Sequence, residues 1–281
     1  MPTLNWTGKD ATTNHSKECP FQLLKKIKSS SLVLHIPHSS TDIPLKVGYT
    51  SSMAELKEEQ LKLTDWYTND LFQHKNAFQV IAPFSRIFCD VERFSKDEDE
   101  TMANFGMGMI YTTFDDGRTL RKIDKKLRNK IYKQYYQNHH NKFLQQVEKS
   151  LRKNSGCLII DCHSFSNIPF QRDLNKTLPR PDIDIGIDNF HTPKALLDAT
   201  KKYFKNLGFS CQVNTPYAGT IVPLRYYKKD ERVQSIMIEL NRDLYLEPNT
   251  NIKNRNYNKM KKILNEYIGE MNGFQEKDGT N

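Results

Sequence analysis

Glycine is scarce in this chain, at 12 of 281 residues. None of these glycines builds a G-x-x-x-x-G-K-[ST] phosphate loop, a G-x-G-x-x-G dinucleotide turn or a G-x-S-x-G nucleophile elbow. Nucleotide cradles and serine hydrolases of those types are therefore excluded. Cysteine is sparse as well: Cys19, Cys89, Cys157, Cys162 and Cys211 include no C-x-x-C pair. An odd number of unpaired cysteines favours reduced thiols and a cytoplasmic location. Cys89 and Cys162 sit inside apolar runs, where a free thiol behaves as a small hydrophobe. No apolar run approaches the ~20 residues that span a bilayer. The polar stretch Met1 to Pro20 lacks the apolar core of a signal peptide. A soluble protein with no membrane partner is expected.

An acidic excess is also missing, because the net charge is +9. The basic residues are dispersed. Arg121, Lys122, Lys125, Lys126, Arg128 and Lys130 lie on one predicted helix, and Lys253, Arg255, Lys259, Lys261 and Lys262 lie on another. Solvated helix faces look like this, and the run Asp97-Glu98-Asp99-Glu100 would repel phosphates. Nucleic acid is thus a disfavoured partner, while a basic balance can still draw small anions to a cleft.

The pattern that is present is β-α. Leu32–Ile36, Gln79–Ala82, Arg86–Val91, Leu158–Cys162, Asp184–Ile187, Phe209–Val213 and Val233–Leu240 read as strands. Helical spacing covers 53–74, 120–152 and 251–271. A further helix runs from Thr192, as N-cap, through Pro193 at the first helical position to Leu207. Residues 95–119 form a long excursion, the kind of segment that is often functional. Alternating strands and helices predict one α/β domain over 1–281, with an ordered core of about 21–272 and frayed ends.

Chemistry gathers at strand ends. Leu158-Ile159-Ile160-Asp161-Cys162-His163-Ser164 delivers a carboxylate, an imidazole and a hydroxyl to a carboxyl edge, where ligands of open α/β sheets bind. Metal ligation or catalysis is favoured for His163 over a core role, with Asp161 on the same side of the strand to orient an imidazole. The first strand ends in His35-Ile36-Pro37-His38-Ser39-Ser40. His38, beyond the strand, is the preferred ligand there, although the spacing alone does not decide it. Glu239 stands in an apolar strand, where a carboxylate is costly unless it is paired or used as a base. Arg242 is its possible ion-pair partner. Arg86 and Arg93 bracket Asp90 and suit a substrate carboxylate or an oxyanion as well as a surface pair. Asp65 reads locally as an ordinary helix residue.

In order along the chain, Pro37-His38-Ser39-Ser40 with Ile43-Pro44, Asp65-Trp66 with Leu71, Arg86-x-x-x-Asp90-x-x-Arg93 and Gly106-Met107-Gly108-Met109-Ile110-Tyr111 are followed by Asp161-x-His163-Ser164-Phe165, Arg180-Pro181-Asp182-Ile183, Asn214-x-Pro216-Tyr217-x-Gly219-Thr220 and Glu239-x-Asn241-Arg242-x-x-Tyr245. This ordered set resembles the N-formylglutamate amidohydrolase family. That family is similar to the zinc carboxypeptidase and aspartoacylase group. The resemblance implies an α/β fold with a mixed central sheet of about eight strands sandwiched by helices, phosphorylase/hydrolase-like, with one zinc ion per chain at the carboxyl edge. The wider group supplies zinc ligands as His-x-x-Glu plus a later His. Here Thr41 stands three residues after His38, so the resemblance assigns the ligands His38, Asp65 and His163, with Asp42 as the alternative to Asp65. It implies Glu239 as general base, Arg86 as oxyanion partner, and Arg93, Arg242, Ser164, Asn214 and Tyr217 in substrate binding. Glu92 stands where related enzymes keep an Asn in Asp-x-Asn-Arg, which bears on recognition of the substrate carboxylate.

The implied reaction is hydrolysis of N-formyl-L-glutamate, or a close N-acyl amino acid, to formate and glutamate, a step of histidine catabolism. The competing readings are a zinc hydrolase of the same fold cutting a peptide or cell-wall amide, and a non-enzymatic nucleic-acid-binding protein. The sequence leaves the oligomeric state open.

Overall fold

Two nine-residue strands, β3 (Cys157–Phe165) and β6 (Val233–Asn241), lie side by side in parallel at the centre of the molecule. The fold is seen in a computed structural model, which describes residues 32–272. Cys19 and both terminal tails lie outside the described residues. On one side β3 pairs in parallel with β1 (Leu32–Ile36), and β1 pairs with β2 (Phe78–Ile81). On the other side β6 pairs antiparallel with β4 (Ile183–Gly186), which pairs in parallel with β5 (Cys211–Val213). Among the described residues the sheet is mixed and has six strands in the order β2-β1-β3-β6-β4-β5, so the expected eight is corrected to six.

Strand alternation divides the side chains between two layers. On one face Leu34, Ile36, Ile160, Cys162, Ile236 and Ile238 pack under α2 (Thr68–Leu71), α5 (Lys194–Asn206) and α6 (Tyr257–Met271). On the other face Val33, Cys157, Ile159 and Val233 pack against Phe143 and Val147 of α4 (Gln137–Lys153). The second face is apolar only in its amino-terminal half. Its carboxyl half carries His35, Asp161, His163 and Glu239, and these residues form the site.

Several expected boundaries move. The helical spacing of 53–74 is two helices, α1 (Met53–Leu63) and α2, separated by Thr64–Tyr67. Asp65 therefore sits in the break and not within a helix. Ser52 and Glu55 form a reciprocal capping box that starts α1. Arg86–Val91 is not a strand, since Phe88 and Cys89 both donate their N–H to the Ser85 carbonyl in a turn. Its apolar run mimics a strand because Phe88, Cys89 and Val91 face one satellite core and Ile87 faces another. Thr192 does not cap α5. Its hydroxyl donates to the Ser235 carbonyl, and Pro193 occupies the N-cap position. The stretch after 120 begins its helix at Lys125, as α3 (Lys125–Ile131), and passes through a π-helical turn at Tyr132–Tyr136 into α4. The excursion 95–119 folds back through short 3-10 turns, and Gly106 closes the second with φ +71. A Cβ there would meet Thr113 Oγ1 at 2.2 Å, so the turn requires glycine.

Candidate active site

Strand register assembles the site. His35 of β1 lies opposite Asp161 of β3, and His163 of β3 lies opposite Glu239 of β6. Glu239 in turn lies opposite Asp184 of β4. Beyond β1, the loop brings His38 back, with its ring centroid 5.1 Å from that of His163. The break after α1 is anchored to that loop, because the Asp65 N–H donates to the His38 carbonyl.

Asp65 then meets both imidazoles. Its Oδ2 is 3.0 Å from His163 Nδ1 and 3.6 Å from His38 Nδ1. The opposite nitrogens are held by other carboxylates. His38 Nε2 is 2.8 Å from Asp90 Oδ1. His163 Nε2 is 3.1 Å from Asp161 Oδ1 and 3.0 Å from Glu92 Oε2. Burial opposes the charge on Asp65, but its contacts with His163 and His38 hold its pKa below the usual value. Burial likewise opposes a charged His163, and Glu92, Asp161 and Asp65 outweigh it, so its pKa stands well above the ordinary value.

Asp90 is the hub on the His38 side. It is fully buried and accepts from Arg86 Nε and Nη2, at 3.2 and 3.0 Å, and from the Tyr111 hydroxyl at 2.8 Å. Burial would raise its pKa, yet His38 and the guanidinium groups of Arg86 and Arg93 keep it well below the carboxylate range. Tyr111 comes from the long excursion, which thus serves to support this hub. Arg93 Nε is buried, has no hydrogen-bond partner and lies 3.9 Å from Asp90 Oδ2.

Glu239 is buried and its Oε2 has no partner. Arg242, its expected ion-pair partner, instead donates to Asp65 Oδ1 at 3.2 Å and to the Ser164 carbonyl at 3.1 Å. Burial, together with the charges of Asp65 and Asp184, raises the Glu239 pKa well above its ordinary value against the pull of His163. Ser164 reaches the group only through Arg242, its Oγ lying 3.4 Å from Arg242 Nε. Asn214 does not join the cluster. Its Oδ1 accepts from the Ile187 and Gly219 N–H groups and holds a loop in which Asn214 has φ +53. The Tyr217 hydroxyl stands between Asp173 and Arg180. Asp42 is exposed on the loop after β1, so geometry favours Asp65 over it.

The donor set fits a divalent cation. Asp65, Asp90, Glu92, Asp161 and Glu239 set carboxylate oxygens beside the imidazoles of His38 and His163 in a largely buried site, a mix of nitrogen and oxygen donors that suits a divalent cation such as zinc. His38 Nδ1 is buried without a partner and lies near Asp65. Leaving such an atom and Glu239 Oε2 unpaired costs on the order of 1–3 kcal/mol each. Both are explained if a ligand sits between them. Glu92 also approaches: His38, Glu92 and His163 offer ligand atoms within 4.8 Å of one another, as do His35, Glu92 and Asp161. His163 meets Glu92 at Nε2 and Asp65 at Nδ1, whereas His38 Nδ1 has only the more distant Asp65 nearby. Glu92 Oε1 is likewise buried without a hydrogen-bond partner, so Asp65 and Glu92 both stand beside the two imidazoles as candidate third ligands.

The family model of the N-formylglutamate amidohydrolases matches residues 30–246. The chain belongs to that family. Among solved structures, the chain resembles an N-formylglutamate amidohydrolase from Ralstonia eutropha, with a TM-score of 0.77 at 20% identity, over 89% of this chain and 96% of that one. It also resembles a gene product of Agrobacterium tumefaciens, with a TM-score of 0.62 at 19% identity, over 86% and 89% of the two chains. No curated protein matches the chain in sequence. The matched span runs from just ahead of β1 to Leu246 and includes every residue of the cluster.

Sequence reasoning missed Asp90 as a hub, Asp184 and the inward role of Glu92. Asp184 accepts the N–H groups of Thr215 and Tyr217 and so positions the loop beside Glu239. The signal for Asp184 was present, since it is a carboxylate in a strand whose other residues are apolar.

Proposed function

We propose that this protein is a zinc-dependent amidohydrolase that cleaves N-formyl-L-glutamate, or a close N-acyl amino acid, to formate and the free amino acid. The observation that carries this reading is the buried, unpartnered Glu239 Oε2 on the same sheet face as two imidazoles that both turn Nδ1 toward Asp65. His38, Asp65 and His163 would hold the metal. When bound there, zinc supplies Lewis acidity and eases the deprotonation of water.

The chain's own groups do the rest. Glu239, whose raised pKa makes it a stronger base, takes a proton from the attacking water. The water oxygen bonds to the carbonyl carbon, and Arg86, fixed by Asp90 and Tyr111, faces the developing oxyanion. Glu239 returns the proton to the nitrogen as the C–N bond breaks. Arg93, with an idle Nε, binds a substrate carboxylate. Arg242 acts through Asp65 and Ser164 in positioning rather than in direct recognition.

A second reading, cleavage of a longer amide such as a peptide or cell-wall fragment, draws support from a 620 Å³ cavity beside Arg242. It is lined by Ile168, Phe170, Asp243 and Glu247, among others. A panel of N-acyl substrates of increasing length separates the two readings. The reaction itself is tested by Glu239→Gln. Zinc content should stay at the wild-type level while turnover drops at least ~100-fold. Wild-type turnover in that variant would remove Glu239 from the mechanism.

A further inference from the structure

Behind His163 lies a second, fully buried pair of histidines that the proposed chemistry does not use. His35 Nδ1 is 2.8 Å from Asp161 Oδ1, the same oxygen that lies 3.1 Å from His163 Nε2. Glu92 spans the same gap, with Oε1 3.4 Å from His35 Nδ1 and Oε2 3.0 Å from His163 Nε2. On its other side, His35 Nε2 is 2.9 Å from Nε2 of His139, which stands in the first turn of α4. The ring of Phe143, one helical turn on, stacks on His35 at 4.7 Å. His35 is 0% exposed and His139 3%.

The proton between the two Nε2 atoms has one consistent place. Burial and the neighbouring His35 keep His139 neutral, with a pKa well below the ordinary value. His35, held cationic below its raised pKa of about 8 by Asp161 and Glu92, carries a proton on each ring nitrogen, so its Nε2–H donates to the neutral His139 Nε2. This bond and the stacked Phe143 fix the His35 ring, and the fixed ring directs its Nδ1–H at Asp161. Asp161 so held accepts from His163 Nε2–H, which leaves Nδ1, on the Asp65 side, as the nitrogen that would bind a metal.

We infer that His139 and His35 are positioning residues. They form a buried chain from α4 through Asp161 and Glu92 to His163, and they set the tautomer and orientation in which His163 binds a metal. The inference rests on the proposed metal site. Partners one layer behind a metal-binding histidine typically change affinity by about 10- to 100-fold.

The test is zinc affinity, measured by competition with a chromophoric chelator, on the wild-type protein and on His139→Leu, His139→Gln and His163→Ala. His139→Leu removes the acceptor and should weaken zinc binding about 10-fold. His139→Gln can accept from His35 and should remain within about threefold of wild type. The visible spectrum of the cobalt-loaded protein should change in the Leu variant and not in the Gln variant. If His139→Leu does not fold, His139→Asn replaces it, being polar but too short to reach His35, with the same expected loss. A Leu or Asn variant that binds zinc with wild-type affinity overturns the inference, as does a Gln variant as weak as Leu. His163→Ala that binds zinc like wild type would overturn the metal site itself.

Discussion

His163 has carboxylates at both ring nitrogens, while His38 has one at Nε2 and only the more distant Asp65 near Nδ1. This asymmetry assigns roles residue by residue. Asp65→Asn should reduce zinc affinity more than Glu92→Gln, as read by metal titration; the reverse order would make Glu92 the ligand. Asp90→Asn leaves His38 Nε2 without its anionic partner and should weaken zinc binding about 10-fold or more. His35 carries a pH signature in the metal-free protein. Burial depresses its pKa, but the bonds to Asp161 and Glu92 raise it from 6.5 to about 8. A histidine with a raised folded-state pKa contributes stability that is fully present below 6.5 and is lost as the pH rises through about 8. Denaturant titrations of metal-free protein should show a loss on the order of 2 kcal/mol across that window, absent in His35→Asn. At this scale His38, His163 and Glu239 were legible as polar groups ending or interrupting apolar strands. Asp90, Glu92 and His139 were not, because their meaning lies in partners far along the chain, such as His35 with His139 at a separation of 104 residues.

At the scale of elements, interruptions do as much as regular structure. Asp65 reaches the imidazoles because α1 stops at Leu63, and helical periodicity running through 53–74 concealed that stop. Trp66 Nε1 donates back to the Leu61 carbonyl, and Tyr67 takes φ +63, so the chain turns sharply at the break. The start of α1 depends on its capping box, and Ser52→Ala should cost about 1 kcal/mol in chemical denaturation. The π turn ahead of α4 places Tyr136 so that its hydroxyl donates to the Arg93 carbonyl at 2.8 Å. Tyr136→Phe removes one bond supporting Arg93, the proposed carboxylate binder, and should raise KM about fivefold, on the order of 1 kcal/mol, with kcat little changed. Strands with long apolar runs were legible. The turn at Arg86–Val91 was misread because total burial, more than alternation, made it look like β structure.

Across the whole molecule, the parallel core of β2, β1, β3 and β6 sends its carboxyl ends to one edge, and antiparallel β4 adds Asp184 there. The α/β class followed from the alternation of elements. The strand count came from family likeness and was too high, since nothing in composition counts strands. Basic residues such as Lys125, Lys126 and Lys153 populate exposed helix faces. No helix among the described residues is long and apolar enough to cross a membrane. Four cysteines among them, Cys89, Cys157, Cys162 and Cys211, are free. The central claim, metal-assisted cleavage of an N-acyl amino acid, is tested most directly by formate release from N-formyl-L-glutamate. It should be measured on purified protein, on protein stripped by chelator and on stripped protein given zinc. The account requires release that disappears on stripping and returns with zinc. Equal release from stripped protein, or none from protein shown to contain zinc, would contradict it.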